Sequence, residues 1–255
     1  MVTGIAIVTV CLNDLQGLKA TFESLLAQTC EPAQWIVVDG NSTDGTRQWL
    51  ESRPWPRLDW SSARDRGIFD GMNKGLRRVT SEYVVFLNSG DTLAHPGVLA
   101  AIAQALSRSS PKPSLLFGDS FEEDTSGRRH LRRARNAGWI WVGMPTTHQA
   151  MYFRVGALRE FDARYALSGD YAAVAQMYRE FGGASFLYLP EPLCVFRLGG
   201  RSSTQWRLLH SEHREIRLAV LGMGRPTAWI VHWLHHVHEL VKRYAPSVHR
   251  LFRYG

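Results

Sequence analysis

Several things are scarce in this 255-residue sequence, and each scarcity removes a class of protein. No apolar run approaches the ~18 residues that cross a bilayer; the most apolar late stretch, 228–234, is interrupted by His232. A spanning anchor is excluded on this reading. The apolar opening, 1–12, has no basic leader and runs directly into Asn13 and Asp14, so it reads as a buried strand and not as a signal peptide, with the cytoplasm as the expected compartment. There are only three cysteines, Cys11, Cys30 and Cys194, with no Cys-x-x-Cys pair, which argues against a disulfide framework and a structural zinc site. The turn after the first apolar run, CLNDLQGLKA, lacks the glycine-rich phosphate loop with its lysine, which disfavours nucleotidyltransferases and other enzymes that use such a loop. No helix-turn-helix, zinc finger or aromatic RNA-binding motif is present, so no nucleic-acid partner is expected despite the basic balance.

What is present is an ordinary globular composition, 45% hydrophobic and 21% charged, enough for one large domain with a core. The formal charge is +7 and the pI near 9.6, pointing to an anionic partner without saying which. The positive charge gathers at Arg128, Arg129, Arg132, Arg133 and Arg135, and again at Lys242, Arg243, Arg250 and Arg253. Either cluster reads equally as a solvated face.

Along the chain, apolar strand-like runs at 5–12, 34–39 and 83–87 each end in a polar cluster and lead into helical spacing, as at Leu18, Phe22, Leu25 and Leu26. Strand, turn and helix in repetition describe a doubly wound α/β domain, whose ligands bind outside the carboxyl ends of the strands. Asp39 and Asp91 fall at such ends. A hairpin is expected over 114–121 and 131–135 around a turn at 124–127, a helix over 166–180, strand-like segments over 185–196, and helix beyond about Trp206. The economical division is a catalytic unit over 1–205, with a nucleotide-binding half to about 110 and an acceptor half after it, followed by a helical appendage over 206–255.

Carboxylates at strand ends supply hydrogen-bond acceptors for a base and ribose, and hard oxygen ligands for Mg²⁺ or Mn²⁺. Asp39 is placed for a base N–H, Asp91 for a metal, and Asp170 for the deprotonation of an acceptor hydroxyl. Each has a plainer reading: Asp39-Gly40-Asn41-Ser42 as a tight turn, Asp91 as a helix cap, Asp170 as an N-cap. Asp70 and Asn73 read as residues that hold loop-to-helix geometry.

The motifs IAIVTVCLN (5–13), SLLAQT with WIVVDGNSTDGT (24–46), DRGIFDGMNKGL (65–76), EYVVFLNSGDTL (82–93), THQAMYFR (147–154) and SGDY (168–171), in this order, resemble the family 2 glycosyltransferases, above all bacterial members that build exopolysaccharide or O-antigen units. The resemblance implies a GT-A fold, a mostly parallel Rossmann-like sheet flanked by helices, and an inverting transfer from a nucleotide-diphosphate sugar, UDP being favoured. It implies donor contacts at Thr9, Asp39, Asp65, Arg66, Asn88, Ser89 and His148, a divalent metal (Mn²⁺ or Mg²⁺) at Asp91, and a catalytic base at Asp170. The acceptor it implies is a glycan or a polyprenyl-diphosphate-linked sugar. The chain departs from the pattern at the metal motif, where Asn88-Ser89-Gly90-Asp91 stands for a fuller acidic cluster. That thinning motivates the competing reading of a degenerate fold that binds without turnover.

The late histidines His232, His235, His236 and His238 lack the spacing of a zinc-protease helix and any accompanying carboxylate cluster. Ile230, Trp233, Leu234, Val237, Leu240, Val241 and Tyr244 draw one apolar stripe with His, Lys and Arg opposite, an amphipathic basic helix. It is expected to pack on the catalytic unit, to lie on the anionic inner-membrane surface through 226–255, or to pair two chains.

Overall fold

A computed structural model describes residues 2–199 and 205–244. Nine strands form one sheet in the order β3-β2-β1-β4-β8-β6-β9-β5, with β7 added to β6. The N-terminal half of the sheet is parallel: β1 (Ile5–Cys11) lies between β2 (Gln34–Asp39) and β4 (Tyr83–Phe86), and β3 (Leu58–Ser62) edges β2. Antiparallel β8 (Met151–Arg154) joins β4 to β6 (Leu115–Glu123), which carries the expected hairpin partner β7 (Arg129–Arg132). The expected late strand segments are one bulged strand, β9 (Phe186–Arg197), parallel to β6 and antiparallel to β5 (Thr92–Leu93).

Strand alternation sorts the core into two layers. Ala6, Val8, Ile36, Val38, Val84 and Phe86 face α3 (Ile68–Leu76) and α5 (Gly169–Phe181). Ile5, Ile7, Trp35, Val37, Tyr83 and Val85 face α1 (Leu15–Leu26) and α4 (Val98–Arg108). Strands buried on both faces must be continuously apolar, which is why β1, β2 and β4 read so clearly in sequence. Helix α3 lies close on β1 because a Cβ at Gly75 would stand 2.4 Å from a Val8 methyl, and one at Gly71 2.8 Å from a Val10 methyl. This close approach carries the 65–70 segment to the strand ends.

The short α2 (Thr46–Glu51) starts after Gly45, whose φ of +93° needs glycine; Asp44 accepts from Thr46 N at 3.2 Å and Leu15 N at 2.8 Å. The last two helices, α6 (Trp206–Ala219) and α7 (Arg225–Tyr244), pack on each other, and α6 packs on α5.

Hydrogen bonds cross the expected boundary at 205. Glu212 on α6 accepts from Ala166 N at 2.7 Å and Leu167 N at 3.1 Å, just before α5. Arg217, fully buried, donates to the carbonyls of Trp141 (2.8 Å) and Val142 (2.9 Å). Helix α6 is therefore bonded to the segments around 141–142 and 166–167. On α7, Ala228, Val231, His232, His235 and Glu239 follow helical spacing on the inner side, while Trp229 and the Ile230, Trp233 and Leu234 of the expected apolar stripe are exposed. His232 Nδ1 lies 3.2 Å from the carbonyl of His210, and Arg217 donates to His235 Nδ1 at 3.1 Å. The side chains of His238, Leu240, Val241, Lys242, Arg243 and Tyr244, and all of Arg250 and Arg253, lie outside the described residues.

Candidate active site

The carboxyl ends of β1, β2, β3 and β4 meet at three loops. Cys11, Asp39 and Ser62 are in register across β1, β2 and β3. Asn13 and Asn41, at φ of +51° and +71°, take the left-handed turns that asparagine tolerates. Asn13 N donates to Ser42 Oγ at 2.7 Å and Thr43 N to Asn13 Oδ1 at 2.8 Å, stitching the loops after β1 and β2 together. Asp14 caps α1 through Gly17 N at 3.1 Å and accepts from Ser89 Oγ at 2.9 Å, which joins the β4 loop to them.

Asp39 is fully buried; its carboxylate accepts from Ser42 N, from the Ser42 hydroxyl and from Ser62 Oγ at 2.6 Å. The turn reading of this residue is what the geometry displays. Asp65 is held next to it, against Gly40 and Gly71, in an ion pair with Lys74. That contact, with Asp70 in support, raises the Lys74 pKa. Arg66 projects into solvent, with its backbone N–H on Asp70 Oδ2 at 3.0 Å, and Asn73 brackets the Phe161 backbone at 2.8 Å on both sides. Asp70 and Asn73 thus hold geometry, as expected.

Thr9 requires a correction. Its hydroxyl is buried and accepts from Trp35 Nε1 at 2.9 Å, because position 9 points into the layer beneath the strand ends. A second correction concerns helix capping: Asp91 leads into β5, not a helix, and Asp170 lies inside the first turn of α5 after the N-cap residue Ser168.

A cavity of about 390 Å³ lies beside these loops, lined by Asn88, His148, Asp170 and Arg132 among apolar Phe69 and Leu209. Asp170 Oδ2 lies 2.9 Å from His148 Nδ1, and His148 Nε2 lies 3.2 Å from Asn88 Nδ2. The next residue, Gln149, donates to Asp91 Oδ2 at 2.7 Å. A single 3₁₀ turn, His148–Ala150, so contacts both Asp170 and the β4 loop.

The sequence model of one family, Glycosyl transferase family 2, matches residues 6–180. The chain belongs to that family. Among named relatives of this family 2 glycosyltransferase is a PGL/p-HBAD biosynthesis glycosyltransferase of Mycobacterium bovis, 27% identical over 203 residues, which are 71% of this chain and 78% of that one. Among solved structures, Staphylococcus aureus TarS 1–349 with UDP-GlcNAc aligns at a TM-score of 0.64 with 15% identity, over 89% of this chain and 70% of that one. The mannosyltransferase PcManGT of Pyrobaculum calidifontis, with GDP-Man and Mn²⁺, aligns at 0.64 with 19% identity, over 93% and 70%. At such identities the structural likeness establishes the GT-A fold.

The metal expectation fares differently within this family 2 fold. Asp91 is 5% exposed, and Oδ1 accepts from Arg197 N at 3.1 Å while Oδ2 takes Gln149. Burial pushes its carboxyl up to about 6, against the lowering by those two donors. Asn88 turns its amide to His148, and Ser89 spends its hydroxyl on Asp14. Among the described residues no group of three or more His, Cys, Asp and Glu side chains stands ready to hold an ion. In this structure Asp91 braces the loop, while a divalent ion commonly takes only one or two carboxylates beside substrate phosphates, and the Mn²⁺ bound with GDP-Man in PcManGT supports divalent metal use in the family. Arg197 brings a cation to this loop, its Nη1 3.5 Å from where a Cβ of Gly90 would stand.

Sequence reasoning missed Lys74, Gln149 and Arg197, and missed that α6 lends Leu209 and His213 to the cavity. The adjacency of His148 and Gln149 in THQA was the available signal.

Proposed function

We propose that this protein is an inverting glycosyltransferase that moves a sugar from a nucleotide-diphosphate sugar, UDP-sugars first, to a hydroxyl of a glycan or lipid-linked acceptor in bacterial surface glycan synthesis. The observation that carries the reading is Asp170 at the floor of the cavity, next to the loop of Asn88 and Ser89. The acceptor hydroxyl gives its proton to Asp170, its oxygen bonds to the anomeric carbon, and the bond from that carbon to the diphosphate oxygen breaks on the opposite face. The diphosphate leaves with the electron pair. Arg197, Asn88 and the backbone of the 88–91 loop meet that charge; Asp39 accepts the base N–H once Ser42 turns away, and Asp65 and Arg66 line the ribose side.

The relative named for PGL/p-HBAD biosynthesis supports a glycan product of the cell envelope, and the neighbours bound to UDP-GlcNAc and GDP-Man support a nucleotide-sugar donor. The catalytic unit in this reading runs through α6 to residue 219, and only the chain from α7 onward forms an appendage. The protein works at the cytoplasmic face of the inner membrane, with the exposed apolar side of α7 toward the lipid. The engaged carboxylates of Asp39 and Asp91 favour the competing reading, a fold that binds sugar nucleotides without turnover, and turnover separates the two.

The test is nucleoside diphosphate release from UDP-, GDP- and dTDP-sugars with Mn²⁺, Mg²⁺ or EDTA, with and without a lipid-linked acceptor. One donor should turn over, Asp170→Asn should lower the rate by about two orders of magnitude or more, and the EDTA arm separates a diphosphate departure assisted by a divalent ion at Asp91 from one met by Arg197 and the loop alone. Silence of the wild type with every donor and acceptor, alongside measurable UDP or GDP binding, assigns the binding fold instead.

A further inference from the structure

The Asn88, His148 and Asp170 side chains form a chain of hydrogen bonds whose proton positions are dictated by chemistry. A carboxylate only accepts, so the 2.9 Å contact between His148 Nδ1 and Asp170 Oδ2 requires a proton on Nδ1. In a neutral ring Nε2 is then bare and must accept, and at 3.2 Å it faces the amide nitrogen of Asn88, a donor. The three residues agree on one tautomer. Asp170 Oδ1 accepts from Tyr171 N at 2.8 Å, so both carboxylate oxygens are anchored and their remaining lone pairs are fixed in direction. Asn88 Oδ1 is buried and has no hydrogen-bond partner, so this amide is not locked from its other side. The same 3₁₀ turn holds Asp91 through Gln149.

We propose that His148 is a positioning residue for Asp170, held in its Nδ1–H tautomer by Asn88, so that the loop receiving the donor also aims the base. The inference deepens the proposed glycosyl transfer and rests on it for its chemical sense. A donor that recruits the Asn88 amide changes what His148 Nε2 sees, and the base responds to occupancy of the donor loop through one imidazole. Orienting an imidazole or a carboxylate through the group behind it is a general device, and its loss costs ten- to a hundredfold or more without removing the reacting group.

Two measurements on the full chain test this. Two-bond nitrogen-proton NMR on ¹⁵N-histidine-labelled protein at pH 8, with His148→Gln to assign the signal, should show His148 as the neutral Nδ1–H tautomer, and saturating UDP or GDP should shift its Nε2 resonance. An Nε2–H ring or an imidazolium at that pH overturns the proposal, and an Nε2 signal unmoved by a nucleotide that calorimetry shows to be bound overturns its donor-loop half. In donor turnover, His148→Leu should lower kcat by about ten- to a hundredfold with KM within about twofold, and His148→Gln, whose amide still donates, should recover part of the loss. Equal rates for wild type and His148→Leu overturn the positioning role, as does a loss confined to KM. If neither UDP nor GDP binds, the donor-site reading falls by itself, while the tautomer measurement still reports on the free protein.

Discussion

At Asp91 the loss of hydration outweighs two good hydrogen bonds. The carboxyl is buried, and its pKa is raised from the usual carboxylate range to about 6 although Arg197 N and Gln149 both donate to it. For an acid whose folded pKa lies above its unfolded one, the penalty is absent below the unfolded value near 3.8 and fully present above about 6. Asp91→Asn removes the charge while keeping an acceptor for Arg197 N. The variant should therefore gain stability relative to wild type as pH rises from 4 to 7, by up to about 3 kcal/mol for a shift of this size. Denaturant melts at pH 4.5 and 7.5 measure the difference, and a gap independent of pH would show that Asp91 is charged and satisfied throughout. The same variant keeps its turnover in EDTA if Asp91 is a strut, whereas a metal ligand at this position would make activity collapse.

At the scale of elements, α6 and α7 meet through histidines. Burial depresses the His210 pKa to about 4 and that of His213 well below the ordinary value, and His232 is lowered for the same reason, with Arg217 adding to each shift. Among the described residues the groups facing this interface are His210, His213, Arg214, Arg217, His232, His235, His236 and Glu239, of which the Glu239 carboxylate favours protonation of His210 and the His210 carbonyl that of His232. A base with a depressed folded pKa contributes stability above its unfolded pKa and loses it as pH falls from about 6.5 toward 4. Helix α7 should loosen from α6 over that window while the sheet persists. Hydrogen exchange of residues 228–239 at pH 7.5 and 5 reports it, and equal protection at both would refute it.

Arg217→Leu tests the same joint from the other side. It leaves the Trp141 and Val142 carbonyls without their donor, and should cost roughly 2–4 kcal/mol in a urea melt. This joint was not legible in the sequence, because Arg217 and Glu212 are residue types expected outside, and only the loops they bind explain their burial. On α7 two stripes share the same helical spacing, and apolarity alone does not say which of them packs on the chain. Strand β3, LDWSS, was passed over because an edge strand need not be apolar on both sides.

For the whole molecule, a doubly wound α/β architecture was legible from β1, β2 and β4, the GT-A fold came from the resemblance of the ordered motifs, and the structure brings Asp39, Asp65, Asn88, His148 and Asp170 to one end of the sheet. Side-chain direction was not legible, which is how Thr9 entered the donor set while facing Trp35. What the fold leaves outside is equally particular. Trp229 and Trp233 are 57% and 63% exposed beside Ile230 and Leu234, an apolar face on a chain with a net charge of +7. An exposed apolar face with tryptophans on a basic chain is the pattern that adsorbs to an anionic bilayer, tryptophan at the headgroup level, and among the described residues no helix is long and apolar enough to cross a membrane. Vesicles of phosphatidylglycerol should sediment the protein and vesicles of phosphatidylcholine should do so poorly, with binding weakened by salt. A combined Ile230→Glu, Trp233→Glu, Leu234→Glu variant should lose sedimentation and keep donor hydrolysis, since none of the three lines the cavity at Asp170. Failure of the wild type to bind anionic vesicles, together with a concentration-dependent dimer that this variant abolishes, would assign the face to a second copy of the chain.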